Sequence, residues 1–259
     1  MNNSYDEKLK EIDFYQKHPQ YMPFVGDNYS KYKILQVGES HYLPQSKKKA
    51  DIFSIDYFVN NWWENPCNEL KKMTDENSGN AEWVKWLNTR GVVKSYMEGY
   101  RTKGRSIFTN FLKACWEAYT GEKINRITTE YSKKYDHFAF INFFQMPSLY
   151  SGESFWKSLS FSAKRQTEKK KDAKQLANDT WDNVVKKSSD IFDKVVEILE
   201  PNVIVFTTQS AWNAYDGKYK NDDRIIGTVH PCCPYWHKPK NGQIGKEELI
   251  DKLKKLKKD

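Results

Sequence analysis

The sequence predicts an α/β fold: a three-layer α/β/α sandwich around a four-stranded, mainly parallel sheet. Three observations carry this. Four short runs are almost purely apolar, the pattern of strands covered on both faces. Stretches with helical spacing separate them, which is the order that puts helices on both sides of a parallel sheet. The 259 residues are 38% hydrophobic and 15% aromatic, enough to fill the core of one large domain.

The elements follow in chain order. The first strand is Lys33-Ile34-Leu35-Gln36-Val37, ending at Gly38. Residues 44–135 are too long for one crossover and read as a helical insertion, with Ile107, Phe111 and Ala114 on one face and Trp62, Trp63, Trp83, Trp86 and Trp116 along it. The second strand is Phe138-Ala139-Phe140-Ile141-Asn142-Phe143-Phe144. A basic run from Lys164 to Lys174 reads as a solvated helix or loop. Ile191, Val195, Ile198 and Leu199 mark a helix that stops before Pro201. The third strand is Val203-Ile204-Val205-Phe206 and the fourth runs from Arg224 to Val229. Leu249, Ile250, Leu253 and Leu256 make a terminal amphipathic helix, acidic at its start (Glu247, Glu248) and basic at its end, as the helix dipole favours. The whole chain, 1–259, is expected to form one domain with its insertion at about 44–135, and to be monomeric.

Composition excludes several classes. So many aromatic residues rule out a disordered chain. No run of eighteen apolar residues exists, and the polar start Met1-Asn2-Asn3-Ser4 is not a signal peptide, so a cytoplasmic protein without membrane contact is expected. The 42 Lys and Arg against 34 Asp and Glu give a net charge of +8, which favours a polyanionic partner, although a solvated Lys-rich surface has the same signature. Cys67, Cys115, Cys232 and Cys233 lack the spacing of a zinc site, an iron–sulfur site or a disulfide framework. No metal or other cofactor is expected.

In an open parallel sheet, ligands bind beyond the carboxyl ends of the strands. The residues leaving the four strands are Gly38-Glu39-Ser40-His41-Tyr42, then Asn142, then Thr207-Thr208-Gln209-Ser210, then His230-Pro231-Cys232-Cys233-Pro234. A carboxylate, an amide, hydroxyls and a histidine thus converge on one crevice.

This set resembles the uracil-DNA glycosylase superfamily over roughly residues 30–43, 137–148 and 190–240. Gly38-Glu39-Ser40-His41-Tyr42 is similar to the first motif, which reads G-E-A-P-G in one branch and G-Q-D-P-Y in another. Phe140-Ile141-Asn142-Phe143-Phe144 is similar to the second-strand motif, whose Asn reads the flipped base. Leu199-Glu200-Pro201-Asn202-Val203-Ile204-Val205-Phe206 matches the helix-Pro-strand segment, and Val229-His230-Pro231 the motif that opens the DNA-penetrating loop. Departures are equally specific. Ser40 stands where the G-Q-D-P-Y branch has its Asp, His41 replaces Pro, Cys232 replaces Ser, and the cysteine set of the G-E-A-P-G enzymes is missing.

The resemblance implies a monofunctional DNA glycosylase with Glu39 and His230 as catalytic residues. Glu39 would stabilise the sugar cation and orient water, and His230 would donate to the departing base. Asn142 would read the pairing edge, with Ser40, His41, Tyr42 and Phe144 (or Phe143 or Phe53) around the base. The nucleotide must be extruded or single-stranded. Tyr235 and Trp236 are then the expected wedge, Thr208 and Ser210 at a helix start the expected phosphate contacts, and Lys238 and Lys240 the expected backbone attraction. Uracil or another pyrimidine is the substrate class. The changed first motif and the long insertion favour a modified cytosine, such as glucosylated hydroxymethylcytosine in phage DNA, whose removal spares host DNA. Two other readings stand beside it: a glycosylase-like binding module without catalysis, and a serine esterase using Ser40 and His230. The latter lacks both the G-x-S-x-G elbow and a D-x-x-H.

Overall fold

A computed structural model of the chain describes residues 1–43, 55–66, 87–99, 106–150 and 153–257. The expectations placed on Phe53, Cys67, Trp83 and Trp86 lie outside these residues.

Each of the four apolar runs forms a strand: β2 (Ile34–Gly38), β3 (Phe138–Asn142), β4 (Val203–Phe206) and β5 (Ile225–Gly227). All four run parallel to one another. The sheet nevertheless has five strands, in the order β1-β3-β2-β4-β5, and is mixed. The added strand, β1 (Phe24–Val25), pairs antiparallel with the outer edge of β3, Phe24 opposite Phe140 and Val25 opposite Ala139. Two residues carry no readable alternation, so the expected four-stranded sheet is corrected to five.

Strand residues alternate between two cores. Leu35, Val37, Ala139, Ile141, Ile204 and Phe206 face one cluster of buried side chains. Ile34, Phe138, Phe140, Val203, Val205 and Ile226 face the other. The first core is completed by α1 (Asp6–Lys10), α2 (Asp13–Lys17), α3 (Ile55–Glu64), and by α7 (Phe155–Gln166), α8 (Lys170–Leu199) and α9 (Gln209–Ala214) further along the chain. The second is covered by α4 (Thr89–Met97), α5 (Ser106–Thr120) and the terminal helix α10 (Gly245–Leu256), with α6 (Thr129–Lys133) at its margin.

The described parts of the insertion are thus largely helical. α5 buries Phe108, Phe111, Leu112, Cys115 and Trp116, one apolar face at helical spacing. α10 packs on it through Leu249, Ile250 and Leu253, and Lys246 reaches Glu117 at 2.8 Å. The basic run from 164 to 174 spans the turn between α7 and α8. α8 ends where Glu200 takes the left-handed conformation (φ 46°) and Pro201 forbids another turn. Among the described residues, no helix is long and apolar enough to cross a membrane.

Candidate active site at the strand ends

The register of β2 and β3 places Gly38 opposite Asn142. Pairing continues past the strand ends, since Phe143 N donates to Gly38 O (3.0 Å) and Phe144 N to Glu39 O (2.9 Å). A Cβ on Gly38 would lie 2.4 Å from Asn142 Oδ1, so only glycine lets the amide approach the first motif. Asn142 is 7% exposed, and no hydrogen bond from the described residues engages its side-chain amide. On the other side of β2, Thr207 anchors the end of β4, its N–H and hydroxyl both donating to Val37 O at 2.8 Å.

Glu39 leaves β2 between these neighbours, half-buried. Its Oε1 accepts from the backbone N–H of Phe155 at 2.9 Å, the first residue of α7, whose N-cap Ser154 makes no side-chain cap. The carboxylate therefore caps a helix in place of Ser154, and the start of the helix dipole favours its charge. The Ser210 hydroxyl also favours its charged form. Burial outweighs both influences and raises the Glu39 pKa above its ordinary value.

His230 follows β5, also half-buried. Its Nδ1 accepts from the backbone N–H of Cys232 at 3.1 Å. A ring nitrogen that accepts carries no proton, so His230 is neutral with its hydrogen on Nε2. Burial pushes its pKa down and reinforces that state. The loop is held from the insertion: Asn110 of α5 donates to Pro231 O at 2.7 Å, and the Ser106 hydroxyl favours the charged form of the Cys232 thiol. Tyr42 is 38% exposed. Its hydroxyl is pushed up to about 12, first by desolvation and then by the charges of Glu39 and Cys232, so it lies within reach of both the first motif and the His230 loop.

Glu39, Asn142, Tyr42 and His230 are thus brought to one end of the sheet, and several other expected roles change. Ser40 is 8% exposed, with its hydroxyl buried and unpartnered among the described residues. His41 turns away from the crevice: its Nε2 meets Thr89 Oγ1 at 3.0 Å and its ring packs edge-on against Tyr21. Phe144 lies wholly in the core, stacked on Phe155 at 4.3 Å, with no face open to a base. Thr208 caps α9, accepting from Ala211 N at 3.3 Å, and Ser210, on the same helix start, favours the charged form of Glu39. Trp236 is fully buried in the second core, so the expected two-residue wedge reduces to Tyr235, which is 44% exposed with the Lys240 ammonium 4.8 Å from its ring centre. Lys238 is exposed on the same loop.

Sequence reasoning missed three contributors. Asn110 and Ser106 sit on α5, far along the chain from the loop they hold, and no motif marks them. The backbone N–H of Phe155 has no sequence signature at all. Trp156, the next residue, is 37% exposed and is a further aromatic side chain on the α7 start.

The site defines a class by geometry alone: an α/β protein with a half-buried carboxylate and a neutral histidine at the carboxyl end of the parallel strands of a mixed sheet. No family model matches the chain, and no match emerges among curated proteins or solved structures.

Proposed function

We propose that the chain is a DNA glycosylase that hydrolyses the N-glycosidic bond of an extruded pyrimidine and leaves an abasic site, with a modified cytosine preferred to uracil. The observation that supports it most is the placement of half-buried Glu39 and neutral His230 at the ends of β2 and β5, on either side of β4, with the free amide of Asn142 at the neighbouring end of β3. Helices on both faces of the sheet suit the three-layer α/β/α sandwich that this reading implies.

The chemistry follows from where charge develops. As the C1′–N bond lengthens, the sugar becomes cationic and the bonding pair moves onto the base. Ionised Glu39 stabilises the cation and takes a proton from the water that attacks C1′. His230 Nε2–H donates to the base oxygen where the negative charge collects, a contribution of roughly 3–4 kcal/mol in a site that excludes water. Asn142 offers a donor and an acceptor to the base edge. Tyr235, Lys238 and Lys240 lie on the loop after His230 and meet the DNA. The esterase reading is disfavoured by one observation: Ser40 Oγ has no hydrogen-bond partner among the described residues, so none of them is placed as its base.

The test is abasic-site formation on matched oligonucleotides containing cytosine, uracil, hydroxymethylcytosine or glucosylated hydroxymethylcytosine. The expected result is cleavage of a modified cytosine ahead of uracil. His230→Ala is expected to lose about 100-fold or more in rate, and Glu39→Gln a similar amount, with DNA affinity retained because both act on the transition state. DNA binding without any excision would leave a binding module in place of an enzyme.

A further inference from the structure

Among the described residues, the exposed large apolar side chains are Met1, Tyr42, Trp156 and Tyr235. The three aromatic ones stand on three separate segments around Glu39 and His230. We infer that Trp156, Tyr42 and Tyr235 form a stacking track for the unpaired bases of single-stranded DNA, which makes the single strand the preferred substrate form. The inference rests on the glycosylase reading for the identity of the polymer.

Trp156 follows Phe155, whose N–H binds Glu39 Oε1, so it stands one residue from the carboxylate contact. Trp181 of α8 meets its indole edge-on at 5.3 Å, which orients the ring and leaves it exposed. Tyr42 pairs with Ser148, and Ser148 Oγ hydrogen-bonds Ser158 Oγ, so its segment is tied to the same helix, α7, that carries Trp156. Burial raises the Tyr42 hydroxyl although the residue is exposed, so the ring rather than the hydroxyl faces water. Tyr235 lies in the 3-10 turn Pro234–Trp236, with the Lys240 ammonium 4.8 Å from its ring centre. No aromatic ring among the described residues packs on Tyr42 or Tyr235. An open aromatic face suits an unpaired base, whereas in a duplex both faces of each base are covered by its neighbours. The means of opening a duplex are reduced as well, since Trp236 is sealed in the second core and leaves Tyr235 alone as a wedge. A strand that is already single needs no wedge and costs less to unstack. Positive charge accompanies the rings: Lys157 beside Trp156, and Lys238 and Lys240 beyond Tyr235, are exposed in a chain of net charge +8.

The test is fluorescence-anisotropy titration of the full chain with a labelled oligothymidylate of about 15 nucleotides and with the same strand paired to oligoadenylate, neither holding an excisable base. The single strand is expected to bind about tenfold or more tightly than the duplex. Trp156→Ala, Tyr42→Ala and Tyr235→Ala should each weaken single-strand binding about tenfold and leave duplex binding and thermal stability unchanged. The slope of log affinity against log salt should stay the same in all three, because stacking releases no counterions. Trp156→Phe should keep most of the affinity. Stacking-dependent binding in a chain that forms no abasic sites would support the track and remove the glycosylase reading. Equal excision from single and double strands, unmoved by the three variants, would do the reverse. Equal affinity for the two forms, single-strand binding indifferent to all three rings, or tighter binding of oligouridylate than of oligothymidylate would overturn the inference.

Discussion

A histidine that receives a backbone N–H on Nδ1 cannot hold a proton there without losing that bond. For His230 this fixes the sign of the pH dependence. If the chain is the glycosylase proposed, excision needs Glu39 ionised and His230 neutral, and both conditions fail on the acid side: Glu39 has a raised pKa and His230 a lowered one. The rate is therefore expected to rise from acid pH, level off near neutrality and show no alkaline limb from either group. A bell with its alkaline fall near pH 7 would mean that His230 works as a cation. Ser210 supplies a finer probe. Its hydroxyl favours the charged form of Glu39, so Ser210→Ala should move the acid limb to higher pH and cut the rate by about tenfold, as expected for losing a hydrogen bond to a charge. If Ser210 instead contacted only DNA phosphate, the same change would weaken binding and leave the pH profile in place.

At the scale of elements, the site depends on α5 as much as on the strands. Asn110 holds Pro231 O at 2.7 Å, one residue after His230. Asn110→Ala is expected to leave the fold intact, because Asn110 lies on the part-exposed side of the helix, and to lower the excision rate several-fold by loosening the loop. Stopped-flow excision with unchanged thermal stability checks it, and an unchanged rate would assign the loop's order to its own turn bonds. The four parallel strands were legible because each is covered on both faces and must be apolar throughout. Their carboxyl ends then marked Glu39, Asn142 and His230 without further knowledge. What was illegible depended on partners distant in sequence. Nothing near Trp236 announces that it is sealed in the second core, nor near His41 that Thr89 binds it. Phe143 and Phe144 look alike to either the core or a ligand until Phe155 stacks on one of them. β1 escaped because two residues have no period.

At the scale of the whole molecule, one of the contacts that tie the N-terminal segment to the insertion is a buried histidine, and acid should weaken it. His18 of the turn after α2 is fully buried, its ring stacked on Trp62 of α3 at 4.3 Å and packed on Phe14. Nε2 meets Trp62 O at 2.7 Å and therefore carries the proton of the neutral ring, while Nδ1 is buried with no partner among the described residues. Protonating Nδ1 would create a buried N–H with no acceptor, and desolvation accordingly lowers the pKa from 6.5 to about 4. The unfolded chain binds this proton at an ordinary pKa near 6.5 and the folded one does not until about 4. Folding stability from this group is thus complete above pH 6.5 and falls as pH drops towards 4, by about 3 kcal/mol in all. Urea unfolding at pH 7 and at pH 4 measures the loss directly. Other groups titrate in the same window, so the decisive quantity is the difference between the wild type and His18→Gln, which removes the titration and keeps a donor for Trp62 O. The variant is expected to be less stable at pH 7 and to lose markedly less on acidification. Equal losses in the two proteins would show that the contact between α2 and α3 does not depend on the charge of His18.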